Sequence, residues 1–227
     1  ALAHCETTSC IENPVNDIIP IAKKYNKKII IDAISSYGGI PIINNDIDYL
    51  VGSSNKCLHG MPGLGFVIAN RESLEECRNN AETLSLDLYS QYLDFEKEEQ
   101  FRFTPPVQVL NALDTALKEL IDNGGIKARM NNYDVKHNIV YLKLLEMGFK
   151  SYLPKEMYGN IGGSYYIPKR KKQFDFNHFA DYLNNHNIVI YPSALDDPRI
   201  IRIGNIGNIT IEELYFCLKK IEHYSRL

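Results

Sequence analysis

The chain has 227 residues, 44% apolar and 23% charged, the balance of an ordinary globular protein with room for one large domain or one and a half. A net charge of −3 does not suggest a nucleic-acid binder, which would normally carry a basic stripe, and no apolar run approaches the roughly 20 residues that span a bilayer. Five scattered cysteines, Cys5, Cys10, Cys57, Cys77 and Cys217, form no CxxC pair and no ligand cluster, which points to a reduced, cytoplasmic protein without structural zinc.

The opening ALAHCE reads as a short apolar strand and lacks the basic start of a signal peptide. NPVNDIIPIAKKYN predicts a helix with Asn13 as N-cap and Pro14 at its first position, where a missing N–H costs nothing. KKIIIDA is a continuous β-branched run, the mark of a strand buried on both faces. IDYLVGSS and GLGFVIA are two more strands, and the alternation predicts an α/β fold with a mostly parallel sheet and flanking helices.

TPPVQVLNALDTALKELIDNGG predicts a helix capped by Thr104, with prolines in its first turn and Gly124–Gly125 as its stop. A second helix, IKARMNNYDVKHNIVYLKLLEM, ends at Gly148. GSYYIP, NIVIYPS and RIIRIG then read as strands around the helix FDFNHFADYLNNH, and Thr210 with Glu213 forms a capping box for the last helix. The character changes between residues 125 and 150, which divides the chain into a large α/β domain, 1–125, and a connecting helix with a small α+β domain, 126–227.

Ligands of open α/β sheets bind beyond the carboxyl ends of the strands. Thr7, Thr8 and Ser9 follow HCE, Asp32 follows KKIII, and Asn55 and Lys56 follow YLVGSS. Singly, each has a plain reading: Asp32 capping the next turn, the hydroxyls closing their own turn, Lys56 reaching solvent. His4 and His59 read as structural. Gly60, Gly63 and Gly65 match neither the dinucleotide fingerprint nor a Walker loop. Together, an amine, a carboxylate and a glycine-lined space fit pyridoxal phosphate, which needs a lysine to hold it and a carboxylate beside its ring nitrogen. Arg202 is the one charge in IIRIG; its planar fork suits a carboxylate or phosphonate, with an ordinary structural ion pair as the alternative.

HCETTS, IIIDAISSYGGIPI, DYLVGSSNKCLHGMPGLGFVIA, FRFTPP and RIGNIG occur in the order seen in class V aminotransferases of PLP fold type I, and the resemblance covers nearly the whole chain. It implies a pyridoxal 5'-phosphate-dependent transaminase acting on a small-molecule amine and a 2-oxo acid, in a homodimer. It makes Lys56 the cofactor-holding lysine and proton shuttle, and Asp32 the partner of the ring nitrogen. Thr7 would lie at the cofactor's phenolic oxygen, Asn55 would help hold its phosphate, and Thr104 would reach the phosphate of a partner subunit. Arg202 would bind the acidic end of the substrate. An alanine, serine or glyoxylate transaminase of the same class, or a non-catalytic dimerisation module, are the other readings.

The chain departs from the family in three ways. Cys10 stands where a glycine is usual, and the stretch from Asp32 to Lys56 is shorter around INNDI. The resemblance also makes this chain the carboxyl-terminal portion of a longer enzyme, without the usual phosphate cradle and ring-stacking side chain. On that expectation, the 227 residues alone self-associate, bind the cofactor weakly and transaminate little.

Overall fold

The computed structural model describes residues 1–226 apart from 43–45, 169–173, 194 and 196. In chain order its elements are β1 (Leu2–Ala3), β2 (Cys5–Glu6), β3 (Ile11–Glu12), α1 (Val15–Lys24), β4 (Ile30–Asp32), β5 (Tyr49–Ser53), β6 (Gly65–Ala69), α2 (Arg71–Glu75) and α3 (Leu88–Glu98). They continue with α4 (Val107–Asp122), α5 (Gly125–Glu146), β7 (Lys150–Ser151), β8 (Gly162–Tyr166), α6 (Phe176–Asn184), β9 (Ile200–Gly204) and α7 (Ile211–Arg226). The chain divides into two compact units. The first holds residues 1–4, 14–37 and 42–119; the second holds 5–13, 38–41 and 120–227.

The first unit is built on the sheet β1-β4-β5-β6. β1, β4 and β5 are parallel, and β6 turns back antiparallel on β5, pairing Val51 with Val67 and Gly52 with Phe66. Val15 and Ile19 of α1 pack on Ile31 and Leu50, which are buried on one sheet face. The expectation of a strand buried on both faces does not hold for β4. Side chains alternate along a strand, so Ile30 and Asp32 point away from α1, and both are exposed. Gly52 is needed because a Cβ there would stand 2.4 Å from the Phe66 ring. That ring meets Tyr37 edge-on at 5.4 Å.

Asp48 ties the unit together. Its carboxylate accepts from the Ile29 amide at 2.7 Å and from Lys23 at 3.0 Å, and it also takes the Ser73 hydroxyl. Three segments of chain thereby close on one buried charge.

The second unit holds the sheet β7-β8-β9, antiparallel throughout, and the β2-β3 hairpin. Its core, with Leu144, Tyr165, Phe179, Leu183, Ile201 and Ile221 all nearly inaccessible, gathers residues of α5, α6 and α7 with those of β8 and β9. The Thr210–Glu213 capping box forms as expected: Glu213 N–H donates to Thr210 Oγ1 at 3.1 Å, and Thr210 N–H to Glu213 Oε2 at 2.8 Å.

Several expected boundaries move. ALAHCE is not one strand: only Leu2–Ala3 joins the parallel sheet, and Cys5–Glu6 enters the hairpin. Pro14, not Asn13, is the residue whose carbonyl starts α1, accepting from Asp17 and Ile18. Both Pro105 and Pro106 precede α4, leaving Thr104 outside the capping position. NIVIYPS forms no strand among the described residues, only a bridge from Pro192 to Ile201, in keeping with a proline that has no N–H for a ladder. α3 was not anticipated. The shortened INNDI loop falls partly on 43–45, outside the described residues. No helix among those described is long and apolar enough to cross a membrane.

Candidate active site

In the first unit, Asp32 ends β4 and Lys56 follows the neighbouring parallel strand β5, with Asp32 opposite Val51 in the β4–β5 register. Two bonds lock the segments beyond the strand ends. Ser53 Oγ donates to the Ile34 carbonyl at 3.2 Å, and the thiol of fully buried Cys57 donates to the Ser35 carbonyl at 3.2 Å. Buried His4 serves the same region structurally, its Nδ1 lying 2.9 Å from Ser36 Oγ, and burial lowers its pKa.

The turn carrying Lys56 is rigid for a reason that explains the glycines. Ser54 is fully buried, and its hydroxyl donates to the Met61 carbonyl at 2.5 Å. Gly60 N–H reaches the Ser54 carbonyl at 2.7 Å, and a Cβ on Gly60 would stand 2.8 Å from that oxygen. Gly63 takes φ +122°, which side chains resist. The loop after Lys56 is therefore glycine-rich in part so that it can fold back onto the strand end.

Lys56 itself is exposed, so its plain reading as a side chain that reaches solvent is met. Ser54 and Cys57 take the interior positions of the turn, and this leaves Lys56 pointing out. No hydrogen bond or ion pair engages its amine among the described residues. Asp32 is also exposed, and its Oδ1 accepts the Ile34 amide at 2.9 Å, so the plain reading as a turn cap is fulfilled as well. Asn55 is half-buried in the turn, and Thr104 is exposed ahead of α4.

In the second unit, Thr7 and Arg202 meet directly. The hairpin turn Thr7–Cys10 joins β2 to β3, and Arg202 Nη1 donates to the Thr7 carbonyl at 2.6 Å. Beside it, Ser164, paired with Arg202 across β8–β9, donates its hydroxyl to the Thr8 carbonyl at 3.4 Å. No carboxylate lies within ion-pair distance of Arg202 among the described residues, so the structural ion pair weighed above is not formed. Cys10 sits at φ +67°, the left-handed conformation that glycine adopts most easily. Burial raises its thiol to about 11, against the opposing pull of Ser164 and Arg202.

Glu6 was quoted in HCETTS without a role. The signal was present: a carboxylate followed within three residues by two amides and two hydroxyls able to reach back. This unit also contains a cavity of about 360 Å³ whose lining includes Glu12, Asp134, His137, Lys155 and Asn160; no expected site residue lines it. Among the described residues no cluster of metal-ligating side chains occurs.

Residues 1–190 match the family model described as Aminotransferase class-V. A 2-aminoethylphosphonate–pyruvate transaminase of Lysinibacillus sphaericus is 40% identical over 226 residues, covering 99% of this chain and 61% of the relative. A protein of the same name from Vibrio cholerae is 38% identical, covering 98% of this chain and 61% of its own. The chain thus spans about three fifths of the length of these curated relatives. The solved alanine–glyoxylate aminotransferase of Nostoc superposes with a TM-score of 0.86 at 20% identity, covering 98% of this chain and 61% of that one. Pyridoxamine–pyruvate aminotransferase of Mesorhizobium loti gives 0.86 at 20%, covering 99% and 59%. At that identity the structures speak for the fold alone, a PLP fold type I architecture. The family model spans residues 1–190 of the 227, and that extent settles the membership: the chain belongs to the class-V aminotransferases.

Proposed function

We propose that the protein transfers the amino group of 2-aminoethylphosphonate to pyruvate, giving phosphonoacetaldehyde and alanine, with pyridoxal 5'-phosphate as its cofactor. The observation that carries this reading is Lys56: an exposed amine without a partner among the described residues, on a rigid turn after the strand that pairs with Asp32's strand. A cofactor held through a lysine, with its ring nitrogen served by a carboxylate, fits that pair of residues. When bound, it supplies an electron-poor ring that stabilises negative charge on the substrate carbon.

Lys56 would hold the cofactor through its amine, and the same amine, when free, would take the proton from the substrate carbon. Asp32 keeps the proton on the ring nitrogen. Thr7 and Asn55 contact the cofactor, and Thr104 acts from a partner subunit in a cytoplasmic homodimer. Arg202 binds the phosphonate, for which its planar fork and uncompensated charge are suited.

The test follows amino-group transfer by the native protein: alanine formed from pyruvate with 2-aminoethylphosphonate or with serine as donor, and glycine formed from glyoxylate with alanine as donor. Alanine formed from the phosphonate well above the serine rate supports the reading. Turnover with the amino acid donors alone assigns the protein to another transaminase of the class.

A further inference from the structure

The Glu6 carboxylate is engaged almost entirely by its own turn. Oε1 accepts from Thr8 N–H at 2.8 Å and Thr8 Oγ1 at 2.6 Å. Oε2 accepts from Thr8 N–H at 2.9 Å, Ser9 N–H at 3.0 Å and Ser9 Oγ at 3.2 Å. Burial alone would raise the carboxyl, and these bonds outweigh it, so the group is held below the usual carboxylate range. Hydrogen bonds to a carboxylate are the stronger kind, and five in one turn fix its backbone.

That backbone is the one Arg202 leans on. The guanidinium holds the Thr7 carbonyl through Nη1 at 2.6 Å, and Ser164 holds the next carbonyl, that of Thr8. Arg202 therefore reaches the residue next to Glu6, yet no ion pair joins the two charges among the described residues. The turn's own amides and hydroxyls take up the carboxylate instead.

We propose that Glu6 is a positioning residue for anion recognition. It gathers the amides and hydroxyls of Thr8 and Ser9, and so fixes the turn whose Thr7 carbonyl orients the Arg202 guanidinium. Already engaged by those donors, it leaves the remaining guanidinium N–H groups to the phosphonate or carboxylate of a substrate. The inference rests on the Arg202 role proposed above.

The experiment measures binding of methylphosphonate, an anion without an amine, to the native protein by titration calorimetry. The variants are Glu6→Gln, Arg202→Ala and the two combined. Glu6→Gln turns one acceptor into an N–H that faces donors, and the expected loss of affinity is about ten-fold, the scale of one misplaced charge-assisted bond. Arg202→Ala should weaken binding at least as much. In the Arg202→Ala background Glu6→Gln should then cost nothing more, because Glu6 acts through the arginine. Should Glu6→Gln lose its cooperative melting transition, the paired variant Thr8→Val/Ser9→Ala replaces it, removing only the hydroxyl donors, with a loss of roughly three-fold.

Wild-type affinity in the Glu6 variant beside a weakened Arg202→Ala overturns the Glu6 role alone, as does a Glu6 effect that adds in full to that of Arg202→Ala. Wild-type affinity in Arg202→Ala overturns the arginine reading, and with it this one.

Discussion

Asp48 offers a quantitative test of the first unit's architecture. Its side chain is 4% exposed and accepts from Ser73, from the Ile29 amide and from Lys23. Burial works against the charge, but these partners prevail and hold the carboxyl at about 2, below its ordinary 3.8. That depression corresponds to about 2 kcal/mol of stability from the ionised form. Asp48→Asn removes this charge and sets an N–H against donors, adding about 1–3 kcal/mol for an unsatisfied buried group. The expected loss at pH 7 is therefore about 3–5 kcal/mol by urea denaturation. Because the native pKa is depressed, the stabilisation is present above pH 3.8 and is lost as the pH falls through 2. The gap between parent and variant should accordingly narrow on acidification across that window. A variant within about 0.5 kcal/mol of the parent at pH 7, or a gap independent of pH, would refute the reasoning.

His137 predicts the other acid-sensitive step. It is 6% exposed, neither ring nitrogen has a hydrogen-bond partner among the described residues, and burial, helped by Lys155 and opposed by Asp134, lowers it to about 4. The unfolded chain takes up the proton first, so native stability should fall by about 3 kcal/mol between pH 6.5 and pH 4. His137→Phe should flatten that limb, and an unchanged urea midpoint profile over this range would contradict it. Asp32→Asn should lower kcat at least about 100-fold, the scale of losing a catalytic proton-holding group, while cofactor affinity measured by fluorescence quenching changes far less. Equal losses in both would reduce Asp32 to a binding residue.

The sheet was legible because its strands carry strong local signals. The β-branched run at Ile29–Ile31 and the apolar stretch Tyr49–Val51 each mark a strand without help from tertiary structure. The capping box at Thr210 was legible for the same reason: all its atoms lie within one helical turn. What escaped depended on distant partners. The exposure of Ile30 follows from α1 covering one sheet face, which no local run reveals. NIVIYPS has strand composition, yet with Asn187 at φ +60° and Pro192 lacking an N–H it contributes a single bridge. α3 was missed although its Asp87 cap is local; it has no buried face to give a periodic pattern. Among the proposed site residues, Lys56 was read as the amine after a strand. Its outward orientation came from Ser54 and Cys57 claiming the interior, a competition visible only in three dimensions.

The central claim is that Lys56 holds pyridoxal phosphate. Borohydride reduction of the native protein loaded with the cofactor, followed by peptide mass spectrometry, tests it most directly. The account predicts one stable pyridoxyl adduct, on the peptide containing Lys56, and its disappearance in Lys56→Ala. An adduct on another lysine, retained in Lys56→Ala, would contradict it.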